Sequence, residues 1–257
     1  MNKEILFYIA TAGYYALPFL NNRQKVRLGS ILFSFFLFPI TFYYFSPYLM
    51  VQATSERVIN GSFIVFALLF VSSLLFGRAF CGWVCPAAGC QEAISRVRER
   101  KVYKGNWIKW IIWIPWILII IILAFRNRGY EKIDFLYQTT FGFSISDIYS
   151  AITYVLVLLL IVLPACIIGK RSFCHHICWM APFMIIGRRI RNILKWPALR
   201  LAVDNDKCTQ CQTCTHHCPM SLPVNEMVAS GKMENAECIL CGSCVDGCPH
   251  RVIRYEF

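Results

Sequence analysis

Long apolar runs alternate with short basic segments through residue 201, after which the chain turns polar. The runs lie near Leu28 to Phe45, Ser62 to Phe80, Ile108 to Ala124 and Ile148 to Ile168. A helix needs about 20 apolar residues to cross the hydrocarbon core, so each run is long enough, or nearly so, to span a membrane. The pattern predicts a mainly α membrane protein with four spans. A further apolar stretch, Ile5 to Leu20, has sixteen residues, which is ~24 Å of helix at the usual rise. Gly13 and Pro18 interrupt it, so it reads as an interfacial or re-entrant helix and not as a fifth span. No small-residue cleavage site marks an excised signal peptide.

Basic residues orient the spans. Arg23, Lys25 and Arg27 precede the first. Arg78, Arg96, Arg98, Arg100, Lys101, Lys104 and Lys109 separate the second from the third, and Lys170, Arg171, Arg188, Arg189, Arg191, Lys195 and Arg200 follow the fourth. That is 17 on one side against Arg57, Arg126, Arg128 and Lys132 on the other. Cytoplasmic loops carry such an excess, so both termini are expected in the cytoplasm of a bacterial or archaeal cell whose inner (cytoplasmic) membrane holds the chain. All seven tryptophans, Trp83, Trp107, Trp110, Trp113, Trp116, Trp179 and Trp196, fall at or near the cytoplasmic ends of spans, where an aromatic belt belongs. Trp113 and Trp116 lie deeper, where lipid contact, core packing and the flanking of a quinone ring are all open.

Composition agrees: 57% hydrophobic and 16% charged residues put most of the apolar excess against the lipid bilayer. The net charge of +12 is uneven, with 22 Lys and Arg against 7 acids in residues 1–201 and 4 against 7 in residues 202–257. A basic chain suggests nucleic acid, but these charges sit between apolar runs, where headgroups and topology account for them. No nucleic-acid partner is expected. Three regions follow: an N-terminal cytoplasmic or interfacial segment (1–26), a four-span membrane domain (27–201) and a polar C-terminal domain (202–257).

Eight of the 14 cysteines form two runs, Cys208-x2-Cys211-x2-Cys214-x3-Cys218-Pro219 and Cys238-x2-Cys241-x2-Cys244-x3-Cys248-Pro249. This spacing lets three thiolates wrap one iron–sulfur cube while the fourth crosses to the other. Cys208, Cys211, Cys214 and Cys248 are therefore expected to hold one 4Fe-4S cluster, and Cys218, Cys238, Cys241 and Cys244 a second. Zinc would more often use Cys-x2-Cys pairs separated by a longer loop. The region reads as a dicluster ferredoxin-like α+β domain, too small for much of a core, so that the clusters supply folding energy. Ile239, Leu240, Val245, Val252 and Ile253 are expected to pack around them, and His216, His217 and His250 to be exposed.

A second repeat lies at the membrane surface. Gly77-Arg-Ala-Phe-Cys81-Gly-Trp-Val-Cys85 closes the second span and Gly169-Lys-Arg-Ser-Phe-Cys174-His-His-Ile-Cys178 closes the fourth. Each half is two spans followed by Phe-Cys-x3-Cys, which predicts a four-helix transmembrane bundle built from a duplicated two-span unit. The basic stretches that follow, Ala87 to Lys101 and Ala181 to Trp196, are expected to lie on the membrane surface. Pro86 marks a helix start beside Cys85, where the helix dipole favours a thiolate. Cys81, Cys85, Cys174 and Cys178 are expected to form one joint redox or metal site; a cluster, another metal and reversible dithiols all fit four thiols. Cys90 and Cys166 are read as structural, and His175 and His176 as interfacial packing.

Given the segment Gly77 to Pro86 and the twin ferredoxin runs, residues 20–257 resemble the NapH-type membrane polyferredoxins, with NosR-type proteins and CcoG-type copper reductases as relatives. The family motif carries over at Cys81, Cys85 and Pro86; in the second copy Trp179 follows Cys178, and the next proline is Pro182. The resemblance implies two 4Fe-4S clusters at the cytoplasmic face and electron exchange with the quinone pool or with other redox subunits of a membrane complex. The expected function is that of an electron-transfer subunit of a quinol dehydrogenase-type complex. In it electrons pass between a quinol or quinone and the clusters, by way of the membrane-surface cysteines, with His175 or His176 nearest for proton exchange. The alternative is a redox-active assembly or regulatory factor that reduces a metal or serves the maturation of another metalloenzyme.

Overall fold

The computed structural model describes residues 22–95, 99–102 and 105–257, mostly helical; the stretch Ile5 to Leu20 lies outside them. The first apolar run forms a broken helix, α1 (Asn22–Phe36) and α2 (Phe38–Thr41), continued by a 3-10 turn to Phe45 and bent by 57°. Pro39 stands just past the break; its ring cannot donate a backbone bond and crowds the preceding turn. Carbonyls freed in an apolar setting need new donors. Ile40 O accepts from Ser144 Oγ at 2.6 Å, Phe45 O from Trp179 Nε1 at 2.9 Å and Pro47 O from Trp116 Nε1 at 3.1 Å. Trp116 is therefore a core residue that supports an interrupted backbone. Trp113 packs edge-on against Phe183 and Trp110.

Ser46 caps α3 (Pro47–Ser55), and β1 (Val58–Asn60) leads into α4 (Gly61–Phe76), capped by Asn60. The sequence pattern ran to Phe80, but Gly77 adopts φ +56° and ends the helix early. Two short turns follow, α5 (Ala79–Trp83) and α6 (Pro86–Ser95), the latter starting at the expected proline. Next come α7 (Ile108–Arg126), β2 (Lys132–Asp134), α8 (Ile148–Ile167) with an Asp147–Ser150 capping box, α9 (Ser172–His176) and α10 (Ala181–Ile193). Among the described residues, α7 and α8 are long and apolar enough to cross a membrane, and the bent α1–α2 pair makes up to three; α4 is apolar but shorter.

β1 pairs in parallel with β2, Val58 opposite Lys132. This joins the connection before α4 to the one after α7. At the other ends of the same two helices, Arg78 and Lys109 both reach Glu237 of the C-terminal domain. The paired strands and that domain thus sit at opposite ends of α4 and α7.

The helices of the basic stretches pack against the apolar helices. α10 packs along α4, with Gly187 so close to Ser73 and Phe70 O that no Cβ fits. α6 packs between α1 and α8, where a Cβ at Gly89 would stand 2.8 Å from Ile31 O. The arginines of α10 turn to protein acceptors: Arg188 pairs with Glu234 and its Nη1 donates to Cys238 O at 2.7 Å. Ala181, Met184, Ile185 and Gly187 of α10 are buried in this way, whereas Ile193, Leu194 and Trp196 at the end of the stretch are exposed.

The C-terminal domain opens at β3 (Arg200–Val203), antiparallel to β4 (Ile253–Glu256), and carries α11 (Thr213–His216), α12 (Val224–Ala229) and α13 (Ser243–Asp246). Positive φ angles recur at equivalent places in the two cysteine runs: Gln210 and Leu240, Gln212 and Gly242, Ser221 and Arg251. Ile239, Leu240, Val252 and Ile253 are buried, Val245 partly so, and His216, His217 and His250 are exposed.

Candidate functional site

The eight ferredoxin-type cysteines line two separate cavities. One is bounded by Cys208, Cys211, Cys214 and Cys248 together with Val252 and Ile253. The other is bounded by Cys218, Cys238, Cys241 and Cys244 with Met220, Ile239 and Leu240. Each cavity thus takes three thiols from one run and the last of the other, the crossed set that spacing suggests. Non-glycine residues seldom adopt positive φ. Here they recur around both cavities, as backbone does where it turns N–H groups inward to form an anion nest. Burial pushes the Cys218 thiol up to about 12, with Cys241 adding to it, and raises Cys244 and Cys238 as well. Four thiolates can share such a space only with cations among them. Two 4Fe-4S cubes meet that requirement, and the residues fit them.

The two cavities differ in position. Cys211 is exposed, whereas Cys241 and Cys244 are buried. The inner cavity abuts the membrane part: Trp83 Nε1 donates to Leu240 O at 3.0 Å and Gln24 Nε2 to Cys241 O at 3.0 Å. A Cβ at Gly82 would stand 2.5 Å from Ile239 O and 3.3 Å from Cys241 Cα. Gly82→Ala is accordingly expected to loosen this docking at the usual overpacking cost of about 1–3 kcal/mol. The loss should appear as a lower melting temperature and faster proteolysis between α10 and β3; wild-type values for both would refute the close approach.

Between the membrane helices and this inner cavity lie the other four cysteines. Cys81, Cys85, Cys174 and Cys178 are all at most 5% exposed. The two copies share one local geometry: Phe80 O accepts from Val84 N at 2.9 Å and Cys85 N at 3.0 Å, and Phe173 O from Ile177 N and Cys178 N at 2.9 Å. A proline after the second cysteine is not needed for that turn. Burial raises the Cys81 and Cys85 thiols, and the other members of the group raise Cys85 further; Cys178 is pushed up to about 12 by burial and then by Cys174 and Cys81. The structure therefore gathers the two pairs into one group. Gln91 clamps the halves, with Nε2 donating to Cys174 Sγ at 3.2 Å and Oε1 accepting from Phe173 N at 3.2 Å. Cys90 sits apart and faces Cys166.

Charge surrounds the group. Glu92 pairs with both Arg27 and Arg171. Burial opposes its ionisation, but the two guanidiniums bring its carboxyl down to about 2. Arg171 Nη1 also donates to Cys81 O at 3.0 Å. Arg78 Nη1 lies 2.7 Å from Glu237 Oε2, and Lys109 Nζ 2.5 Å from Glu237 Oε1. His175 is buried, donates through Nδ1 to Asn106 Oδ1 at 2.6 Å, and is held neutral by burial, with its pKa down to about 4. Sequence reasoning counted Arg78 and Arg171 as topology charges only, although each stands three residues before the first cysteine of its motif. That repeat was the available signal; Glu92, Gln91 and Glu237 left none.

Fold and site define a ferredoxin-type iron–sulfur protein with helices able to cross a membrane. Residues 61–105 and 150–197 match a family described as 4Fe-4S binding domain, and residues 207–253 one described as 4Fe-4S dicluster domain. Two proteins of Methanocaldococcus jannaschii, MJ0750 and MJ0749, both named as uncharacterized, are similar to this chain. They are 24% identical over 196 residues (74% of this chain, 76% of that protein) and 25% over 206 (78% and 75%). YccM of Escherichia coli K12, which is named provisionally as an electron transport protein, is a distant homologue, 21% identical over 214 residues, 79% of this chain and 57% of that protein. No solved structure matches.

Proposed function

We propose that the protein is a multi-pass membrane electron carrier of NapH type, which passes electrons between a quinol or quinone in the bilayer and two 4Fe-4S clusters on the cytoplasmic face, as a subunit of a larger redox complex. Electron transport is also what the name of the distant homologue YccM states. Bound iron–sulfur clusters take and release single electrons; the residues decide where. Cys208, Cys211, Cys214 and Cys248 hold the outer cluster, near exposed Cys211, and Cys218, Cys238, Cys241 and Cys244 hold the inner one, against Gly82 and Trp83.

The observation that carries the quinol reading is a cavity of about 400 Å³ between the broken first span and α8. Phe38, Phe42, Val157 and Ile161 line its body, and Phe173, Trp179 and Met180 line the part beside Cys174 and Cys178. Gln52, Gln138 and Thr153 supply polar groups, and among the described residues no charged side chain lines it. An apolar cleft with a few polar groups suits a quinone ring and tail, whereas reduction of a metal ion in an assembly role would call for charged ligands. Trp113 and Trp116 are absent from its lining; Trp179 takes that place. Neutral His175, whose Nε2 has no hydrogen-bond partner among the described residues, is a titratable group beside Cys174 that could take up a proton.

The test is anaerobic addition of quinol to the protein in lipid nanodiscs while cluster absorbance and paramagnetic signals are followed. Wild type should be reduced. Val157→Trp, which fills the cavity, should slow reduction roughly tenfold or more, the effect of about 1.4 kcal/mol, with dithionite reduction unchanged. Equal quinol rates would remove the cavity from the reaction.

The same proposal includes a four-span bundle with both termini cytoplasmic, supported by the 17-to-4 bias in basic residues. Reporter fusions after Val58 and after Tyr130 should then read as periplasmic, and one after Lys101 as cytoplasmic. The reverse pattern would invert the compartment of both clusters.

A further inference from the structure

We propose, resting on the quinol reading above, that electrons and protons leave the quinol by opposite ends of its cavity. Electrons go toward the cysteine group and the clusters, and protons go by way of Gln52 to the Glu56 carboxylate and the water beyond it. The cavity of about 400 Å³ reaches from Phe173, Trp179 and Met180, beside the cysteines, to Gln52, Gln138 and Thr153. Gln52 is in the last turn of α3, just before β1; Gln138 follows β2, and Thr153 is near the start of α8. That is the end of the paired strands, opposite the ferredoxin-like domain.

The two ends differ in what they can accept. At the cysteine end, Pro86, Ala87, Phe173, Trp179 and Met180 carry no group that takes up a proton, and the Trp179 indole already donates to Phe45 O at 2.9 Å. His175 is buried and is not among the lining residues. At the strand end, Gln52 Nε2 donates to Glu56 Oε1 at 3.4 Å, which links the cavity wall to an exposed carboxylate. Neighbouring carboxylates are engaged elsewhere. Among the described residues Glu131 pairs with Arg57, Asp134 pairs with Lys132 at 3.2 Å, and Asp147 caps α8 in its box with Ser150, whereas Glu56 is in no ion pair. Tyr137 stands beside Glu56. Burial and then this carboxylate push its hydroxyl up to about 12, which leaves the phenol protonated and Glu56 as the group able to accept.

A side-chain amide does not itself carry protons, so Gln52 is a positioning residue that holds the carboxylate at the mouth. A cavity of this size with polar groups at one end has room there for water, at about 30 Å³ a molecule, to complete the path. With each electron that a quinol gives to the clusters one O–H bond breaks, and its proton passes to Glu56 and from there to water. The quinol becomes quinone as the clusters are reduced. In the four-span topology proposed above, the electron ends on the cytoplasmic side and the proton on the other, so turnover separates charge across the bilayer.

The experiment places the full chain in sealed liposomes with a pH-sensitive dye inside, ferricyanide outside, and valinomycin with potassium to dissipate the potential; a membrane-soluble quinol starts the reaction, and liposomes without protein give the background. Ferricyanide does not cross the bilayer, so it draws electrons from molecules whose ferredoxin-like domain faces out. The lumen should acidify by about one proton for each ferricyanide reduced, and a protonophore should abolish the change. Acidification of the outer medium alone would overturn the proposal and leave the quinol reading intact. Clusters that dithionite reduces and quinol does not would overturn the quinol reading and the proton route with it. Glu56→Gln should slow reduction of the clusters by quinol about tenfold or more, with Glu56→Asp close to wild type and with iron content and dithionite reduction unchanged in both. A Glu56→Gln protein as fast as wild type would overturn the assignment of the exit to Glu56.

Discussion

Cys248→Ala is expected to abolish the cluster of the first run and to leave that of the second intact, although Cys248 belongs to the second run. The reason is the cavity it lines: Cys248 stands with Cys208, Cys211 and Cys214, and Cys244 with Cys218, Cys238 and Cys241. Loss of one ligand of four from a small domain stabilised by its metal should release about four of the roughly eight iron atoms of this region. The outer cavity should empty, since Cys211 there is exposed and solvent reaches it. The inner cavity is covered by Trp83, Gln24 and Arg188 and should keep its cube. Cys218→Ala should do the converse, removing the cluster nearest the membrane part, and with it any reduction by quinol of the cluster that remains. Paramagnetic resonance of the reduced variants reads both outcomes. A Cys248→Ala protein that lost the inner cluster instead would refute the crossed arrangement.

How far the sequence foretold these placements depended on what each signal measures. Cysteine spacing measures reach along a short chain, and reach alone sorts eight thiols into two sets; the two cavities are lined by the same two sets. The duplicated Cys-x3-Cys was legible as a repeat, but the repeat was read too narrowly. Arg78 and Arg171 recur at one offset before Cys81 and Cys174, and both prove to be buried ion-pair partners. Amphipathicity in Ala87 to Lys101 and Ala181 to Trp196 showed that one face is apolar, yet not what covers it. Gly89 and Gly187 decide that by allowing the helices of these stretches to press against α1 and α4. Hydropathy measured apolar length without its interruptions, and so it passed over the bend near Pro39 and the stop at Gly77. The glutamates were illegible because their partners lie far along the chain: Glu237 answers Arg78 and Lys109, and Glu92 answers Arg27 and Arg171.

Glu237→Leu is expected to undock the ferredoxin-like domain from the membrane part. Its carboxylate takes Arg78 Nη1 on one oxygen at 2.7 Å and Lys109 Nζ on the other at 2.5 Å, and both cationic side chains are fully buried. Arg78 Nη1 also donates to Ala236 O at 3.0 Å, so the loop is held by backbone as well. Removing the shared anion strands two cations away from water, and breaking a buried pair in this way costs about 3–5 kcal/mol. Glu237→Leu with Lys109→Met removes one of the stranded charges and should recover part of that loss, a coupling that a double-mutant cycle reads directly. The same carboxylate predicts a pH dependence. Burial alone would raise the Glu237 pKa, but Arg78 and then Lys109 outweigh it and hold it below the usual carboxylate value. A depressed folded pKa means that the stabilisation is complete above the unfolded value of about 4.3 and is lost as pH falls through the folded one. Glu237→Gln lacks that ionisation. The stability difference between wild type and Glu237→Gln should therefore be constant from about pH 5 to 8 and shrink below about pH 4. Taking the difference cancels acid loss of the clusters themselves, which affects both proteins. A difference that stayed constant down to pH 3, or additive effects in the Glu237–Lys109 cycle, would show that the domain is held by its apolar and backbone contacts alone.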